Sequence, residues 1–336
     1  MMILASGKLT IAVILLVLLF FLAVAALYLG YLTVCRKLYV KIFKRPKPMP
    51  QVDRSPSKID QSTVYGRGRN WFYTNRMEFV NVRIDSFDKV RLSGYFRPSA
   101  DRSSRFAVIL LHAYDEHPSE MSAYARLLMK QIQCHVLIAH GRAHLMSGGK
   151  TCTYGLYESV DLIRWIDFVR QQVGNDCRIF IMGRGLGAST ALLASQQKDF
   201  PENVAGIIAD SPYEQLETIL ENKIKAHYKL DGRLFLSSVR RMAIKRKGLD
   251  IRLCDTAVHA DRTRVPVLIF QGGNDDVTPP EGSKRIYDNI RAPKRLVQVD
   301  HAGHLMCYDK SPAVYEREVR KFVEECVVRL VSIGRM

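Results

Sequence analysis

The chain has 336 residues, 47% of them apolar and 25% charged, an ordinary globular composition with enough apolar material for a sizeable core in one large domain or two small ones. Its formal net charge is +17, yet no RNA- or DNA-binding motif accompanies the excess, so nucleic acid is not an expected partner. The seven cysteines show neither C-x-x-C nor zinc spacing and are scattered thiols suited to a reducing compartment.

From Leu9 to Cys35 there are 27 positions without a charge. At about 1.5 Å per helical residue the run exceeds a hydrocarbon core of roughly 30 Å, which predicts a single transmembrane helix over 9–35. Ala23-Val24-Ala25 has the look of a signal-peptide cleavage site. The apolar run, however, is far longer than a signal h-region of about 7–15 residues and continues past that triplet. Arg36, Lys37, Lys41, Lys44, Arg45 and Lys47 follow the span, against Lys8 before it. The positive-inside rule therefore places the bulk of the chain in the cytoplasm, with the lipid bilayer as its first partner.

Residues 36–65 form a basic juxtamembrane segment and a linker rich in Pro, Ser and charge, and the domain is expected over 66–336. It opens with two alternating stretches, FVNVRIDS and KVRLSGYF, expected as an antiparallel pair joined through Phe87-Asp88. Six short apolar runs then begin at Phe106, His135, Arg178, Val204, Val265 and Arg295. Such continuous Val/Ile/Leu runs suit strands buried on both faces of a parallel sheet. Amphipathic helices are expected near 118–132, 156–172, 186–197, 281–290 and 312–331, so the pattern predicts an α/β protein with a mostly parallel, doubly wound sheet. More than fifty residues separate Asp210 from Val265, too many for a simple crossover, and a helical lid is expected at about 212–262.

The lid carries ten basic residues between Lys223 and Arg252, against Asp231 and Asp250. Two readings stand side by side: a solvated helical surface, or a membrane-facing basic patch at Lys245, Arg246 and Lys247 that meets anionic lipid headgroups.

In open α/β sheets ligands bind beyond the carboxyl ends of the strands. After RIFIM comes Gly183-Arg184-Gly185-Leu186-Gly187, the outline of a G-x-S-x-G nucleophile elbow with glycine at the serine position. The turn lacks the sixth-position glycine of a dinucleotide fingerprint and the Lys-Ser/Thr of a P-loop. After VPVLIFQ, the stretch GGNDDVTPP offers Asp275 or Asp276 to hold a histidine ring N–H, and His304 follows in HAGHLMCY. Backbone N–H groups of Ala113, Tyr114 and Leu186 are placed to form an oxyanion hole. The other histidines show no metal spacing, and no metal or cofactor is implied.

From about Asn70 to the C-terminus the chain resembles the α/β-hydrolase superfamily, in particular bacterial membrane-anchored serine hydrolases of esterase and peptidase type. TYGLYESVDLIRWIDFV, the elbow, ADSPY, GGNDDVTPP and AGHLMCYDKSPAVYEREVRKFVEE carry the resemblance. It implies an α/β-hydrolase fold and an Asp275-His304 pair, and it puts the nucleophilic serine on Gly185. Two further phrases depart from the family: His112-Ala113 stands for His-Gly, and His140, Ala143 and Leu145 replace the acid and two glycines of D-x-R-G-H-G-x-S-x-G.

Glycine has no Oγ, and loss of a triad nucleophile costs on the order of 10⁶ in turnover in subtilisin. The expectation is a membrane-tethered protein without serine-hydrolase catalysis that keeps its cleft for a small acyl or peptide ligand. The alternative is a hydrolase of ester, thioester or amide bonds. It would use Ser147, Ser189, Ser211 or Cys307 as nucleophile, or a water activated by His304 and Asp275.

Overall fold

The computed structural model describes residues 2–45 and 59–335. Eight strands form one sheet in the order β1-β2-β4-β3-β5-β6-β7-β8. The opening hairpin is β1 (Val80–Asp85) and β2 (Arg91–Arg97), antiparallel with Val82 opposite Gly94. β3 (Phe106–Leu111), β4 (His135–Ala139), β5 (Arg178–Arg184), β6 (Val204–Asp210), β7 (Val267–Gly272) and β8 (Lys294–Val299) run parallel to one another. Every residue of β4, β6 and β7 is buried, as unbroken apolar runs require when helices cover both faces.

One face is covered by α2 (Val64–Thr74), α3 (Ser122–Gln131), the short α9 (Cys307–Lys310) and α10 (Pro312–Ser332). The other carries α4 (Leu156–Val173), α5 (Leu186–Ser195) and α8 (Pro280–Asn289). All of α5 is buried, and its small residues let it lie directly on the sheet. A Cβ on Gly187 would stand 2.1 Å from the carbonyl oxygen of Leu111, and one on Gly183 would stand 2.3 Å from that of Gly187. Only hydrogen fits at either position.

The lid consists of α6 (Leu216–Tyr228) and α7 (Gly232–Lys247). Asp231 starts α7 by accepting the N–H of Leu234 at 2.7 Å, and Gly248, at φ +66°, ends it in the left-handed conformation.

The N-terminal helix α1 runs without a break from Met2 to Phe43. Its stretch Ile11–Phe43 is long and apolar enough to cross a membrane. Two parts differ. From Ile11 to Leu29 the large apolar side chains are exposed, whereas Cys35, Leu38, Tyr39, Ile42 and Phe43 are buried against Leu216, Leu220, Leu236 and Val239 of the lid. At about 1.5–3 kcal/mol for each fully buried large side chain, this contact makes α1 an integral third member of the lid. Polar contacts fix its register: the Tyr31 hydroxyl donates to the Leu234 carbonyl at 3.0 Å, and the Tyr154 hydroxyl donates to that of Ile42 at 2.7 Å. The segment 36–65 is therefore helical as far as Phe43, residues 46–58 lie outside the described residues, and core packing resumes at Val64.

A methyl group added at Gly187 must push α5 off β3. Gly187→Ala is expected to destabilise the fold by about 3 kcal/mol, the upper end of ordinary overpacking, read as a lowered thermal unfolding midpoint. Gly303→Ala, whose added Cβ has a neighbour no nearer than 3.9 Å, is the control with little effect.

Candidate active site

β5 delivers the chain into the elbow, and α5 leaves it. Gly185, at φ +52° and ψ −112°, sits at the apex in a conformation that L-residues rarely adopt. Its N–H bonds the Asp210 carbonyl at 2.8 Å, and its carbonyl accepts the Ser189 N–H at 3.0 Å. A Cβ here would meet the Ala113 Cβ at 3.1 Å and the Leu305 Cδ2 at 3.2 Å. Those contacts are tight but involve side-chain atoms, unlike the backbone clashes at Gly183 and Gly187.

Asp275 and His304 come together at the ends of β7 and β8, with His304 Nδ1 2.8 Å from Asp275 Oδ2. The Asp275 carboxylate is completely buried, while the His304 ring is 24% exposed. Asp275 Oδ1 accepts the N–H groups of Val277 and Thr278 at 3.0 and 2.7 Å, and the Thr278 hydroxyl donates to Oδ2 at 2.8 Å. Burial pushes the Asp275 carboxyl up, but the His304 contact and these donors outweigh it and hold the group below the ordinary carboxylate value.

Gly185, His304, Thr278 and the expected backbone donors Ala113, Tyr114 and Leu186 all line one cavity of about 600 Å³. The donors are not equivalent. The Ala113 N–H points to Glu116 Oε2 at 3.2 Å, so a side chain occupies it. Glu116 is itself paired with Arg184, whose guanidinium lies 4.3 Å over the Tyr65 ring and donates to the Leu305 carbonyl at 2.7 Å. Of the three expected donors, Tyr114 and Leu186 also line the cavity, and only the Ala113 N–H is engaged by Glu116.

The four alternative nucleophiles are buried behind the cavity lining. Ser189 accepts the Tyr213 N–H at 2.8 Å, and Ser147 accepts the Ser93 N–H at 2.9 Å while donating to the His140 carbonyl at 2.8 Å. Ser211 donates to Asp210 Oδ1 at 3.0 Å, and burial pushes the Cys307 thiol well up, which disfavours its thiolate. All four are buried, and none lines the cavity.

The loop after β4 retains glycine-type backbone where glycine is absent: Ala143 and Leu145 have φ of +60° and +38°. Arg142 braces it with a bidentate pair to Asp161 at 2.9 and 2.8 Å and a bond to Asp88 at 2.7 Å. Among the described residues no cluster of His, Cys, Asp or Glu is arranged to hold a metal. His140 is buried beside this loop and burial pulls its pKa down to about 3, which keeps the ring neutral.

The sequence-based site omits the cavity's roof. Leu38, Lys41 and Ile42 of α1 line it together with Leu220 and Lys223 of α6, and Tyr154 stacks on Tyr114 with ring centroids 5.2 Å apart. The signal lies in residues 31–43, where Tyr31, Cys35, Leu38 and Ile42 follow helical spacing opposite Arg36 and Lys37.

The basic patch at Lys245, Arg246 and Lys247 is exposed at the C-terminal end of α7. Arg246 sits 5.2 Å over the Tyr39 ring, whereas the other end of α7 meets Tyr31. Eight residues of helix separate these points, about 12 Å at 1.5 Å per residue. The patch thus lies at the end of α7 away from the free apolar stretch. Arg233 and Leu234 stand at the near end, Leu234 being 56% exposed.

The lowered Asp275 pKa has a definite pH signature. Its contribution to stability is present above the unfolded carboxylate value of about 3.9 and is lost as pH falls through the lower folded value. The difference in unfolding midpoint between the wild type and Asp275→Asn is therefore expected to be widest near neutrality and to shrink below about pH 4. A difference independent of pH would contradict the assignment.

The chain is similar to several known proteins. Residues 251–311, which hold Asp275 and His304, match the family described as serine aminopeptidase, S33. The chain is 27% identical over 257 residues to the uncharacterized protein YqkD of Bacillus subtilis, covering 72% of this chain and 82% of the relative. To the uncharacterized protein YfhR of Escherichia coli K12 it is 24% identical over 253 residues, covering 72% and 80%. Among solved structures, the Pyrococcus furiosus esterase Pf2001 superposes with a TM-score of 0.60 at 24% identity over 74% of this chain and 92% of that one. Est1E of Butyrivibrio proteoclasticus, solved with ferulic acid, gives 0.55 at 18% identity over 74% and 99%. Strand order, elbow and structural likeness together establish that the chain has the α/β-hydrolase fold and resembles that superfamily.

Proposed function

We propose that this is a membrane-anchored α/β-hydrolase-fold protein that uses its cleft to bind a small acyl or peptide ligand and lacks serine-hydrolase catalysis. One observation carries the reading: Gly185 occupies the elbow apex, and Ser147, Ser189, Ser211 and Cys307 are all buried, with none of them lining the cavity. A serine-type esterase needs a side chain that forms an acyl intermediate, and His304 has none to activate. The anchor rests on the exposed apolar stretch of α1, and the cytoplasmic placement of the domain rests on the basic residues that follow it.

A second reading is favoured by the intact Asp275-His304 contact at 2.8 Å. A histidine held by a carboxylate is a competent general base, and a water at Gly185 would turn over esters or amides slowly.

The two readings separate in one set of measurements. The wild-type chain is expected to form no stable fluorophosphonate adduct and to hydrolyse short acyl esters at a rate unchanged by His304→Ala. Gly185→Ser is expected to gain both labelling and turnover, the latter by on the order of 10³-fold or more. A wild-type adduct abolished by replacing one Ser or Cys would sink the non-catalytic reading. Adduct-free turnover that His304→Ala removes would establish the water mechanism.

A further inference from the structure

The cavity has two chemically distinct ends and a roof drawn from outside the hydrolase domain. Its floor is Gly185, Thr278 and His304, and its walls are apolar, built largely by Leu216, Ile219, Leu220 and Ile224 of α6. At the mouth stand two exposed lysines from different elements, Lys41 of α1 and Lys223 of α6, with no acidic residue in the lining. Lys41 Nζ lies 5.0 Å over the Tyr228 ring, which places its charge on an aromatic surface. The volume of about 600 Å³ lies within the roughly 300–1,000 Å³ of small-ligand sites.

The roof's position matters as much as its composition. Residues 11–30 of α1 would span about 30 Å as a helix, the thickness of a hydrocarbon core. Leu38, the first α1 residue in the lining, follows the end of that stretch by eight residues, about 12 Å. An acyl chain leaving the headgroup region meets the cavity within that distance, and the lysines at its mouth suit an anionic head and leave a neutral one unpaired.

Resting on the binding-cleft reading, we propose that the cavity takes a single-chain anionic amphiphile, its acyl chain among the α6 side chains and its carboxylate or phosphate head between Lys41 and Lys223. The anchor helix is then a wall of the ligand site.

The test uses the full chain in phosphatidylcholine nanodiscs. All seven native cysteines are buried, so Gly185→Cys introduces a reporter thiol into the cavity, and Ile219→Cys provides a second on its wall. Palmitate and lysophosphatidate, supplied separately to distinguish a free fatty acid from a lysolipid, are expected to slow maleimide labelling at least tenfold, and hexadecanol far less. Lys41→Gln or Lys223→Gln, each in the reporter background, should raise the half-protecting concentration of either anion at least fivefold without altering hexadecanol. Labelling that no amphiphile slows would overturn the ligand assignment and leave the binding-cleft reading standing. Equal protection by hexadecanol would overturn the anionic head. If neither reporter thiol is labelled without ligand, the cavity is closed to solutes and both readings fall.

Discussion

The backbone of α5 touches the backbone of β3. Gly187 against the Leu111 carbonyl leaves no room for a methyl group, and Gly183 against Gly187 leaves none either. This approach sets the angle at which α5 leaves the sheet, and hence the elbow apex, the aim of the Leu186 N–H and the distance from Gly185 to the β8 loop. It also separates architecture from chemistry. The two outer glycines answer to packing, and serine catalysis asks only for the middle residue to carry a hydroxyl. The packing glycines are present and the hydroxyl is not, so the elbow is complete as a structural device.

Around the cleft, other positions have left-handed backbone without glycine. Asp115, Ala143, Leu145, Tyr154, Ser211 and Leu305 all have positive φ. Each such residue costs roughly 1–2 kcal/mol. At Ala143 and Leu145 the conformation is held by a local cross-brace: Arg142 is buried between Asp161 and Asp88, and its removal would leave uncompensated charge inside the protein. The loop keeps its shape through electrostatics where glycine would have kept it through conformational freedom.

Much of the fold was legible because its strands are buried on both faces and read as unbroken apolar runs. The meeting of Asp275 with His304 was legible too, since both follow strand ends in chain order. What was not legible lies where two patterns overlap or where a side chain decides. Residues 31–43 look like a span's end with basic flanks, yet the same Arg36 and Lys37 are the polar side of an amphipathic helix packed on the lid. Hydropathy weighs those charges as a boundary; periodicity weighs them as a face. The Ala113 amide is turned to Glu116 by a hydrogen bond three residues along, which residue types alone do not announce. Where Lys245, Arg246 and Lys247 stand relative to the exposed apolar stretch depends on the direction of α7 beside α1, which the residue types do not reveal.

The docking of α1 has a consequence for how the chain is made. Tyr31 and its partner Ser238 are 207 residues apart. At about 5–20 residues per second, α1 waits on the order of 10–40 s after its own synthesis for the lid that covers its apolar stripe. Until then Leu38, Ile42 and Phe43 have only solvent, chaperone or lipid for company. The lid in turn has no complete core without them, so each of the two segments depends on the other across 207 residues of chain.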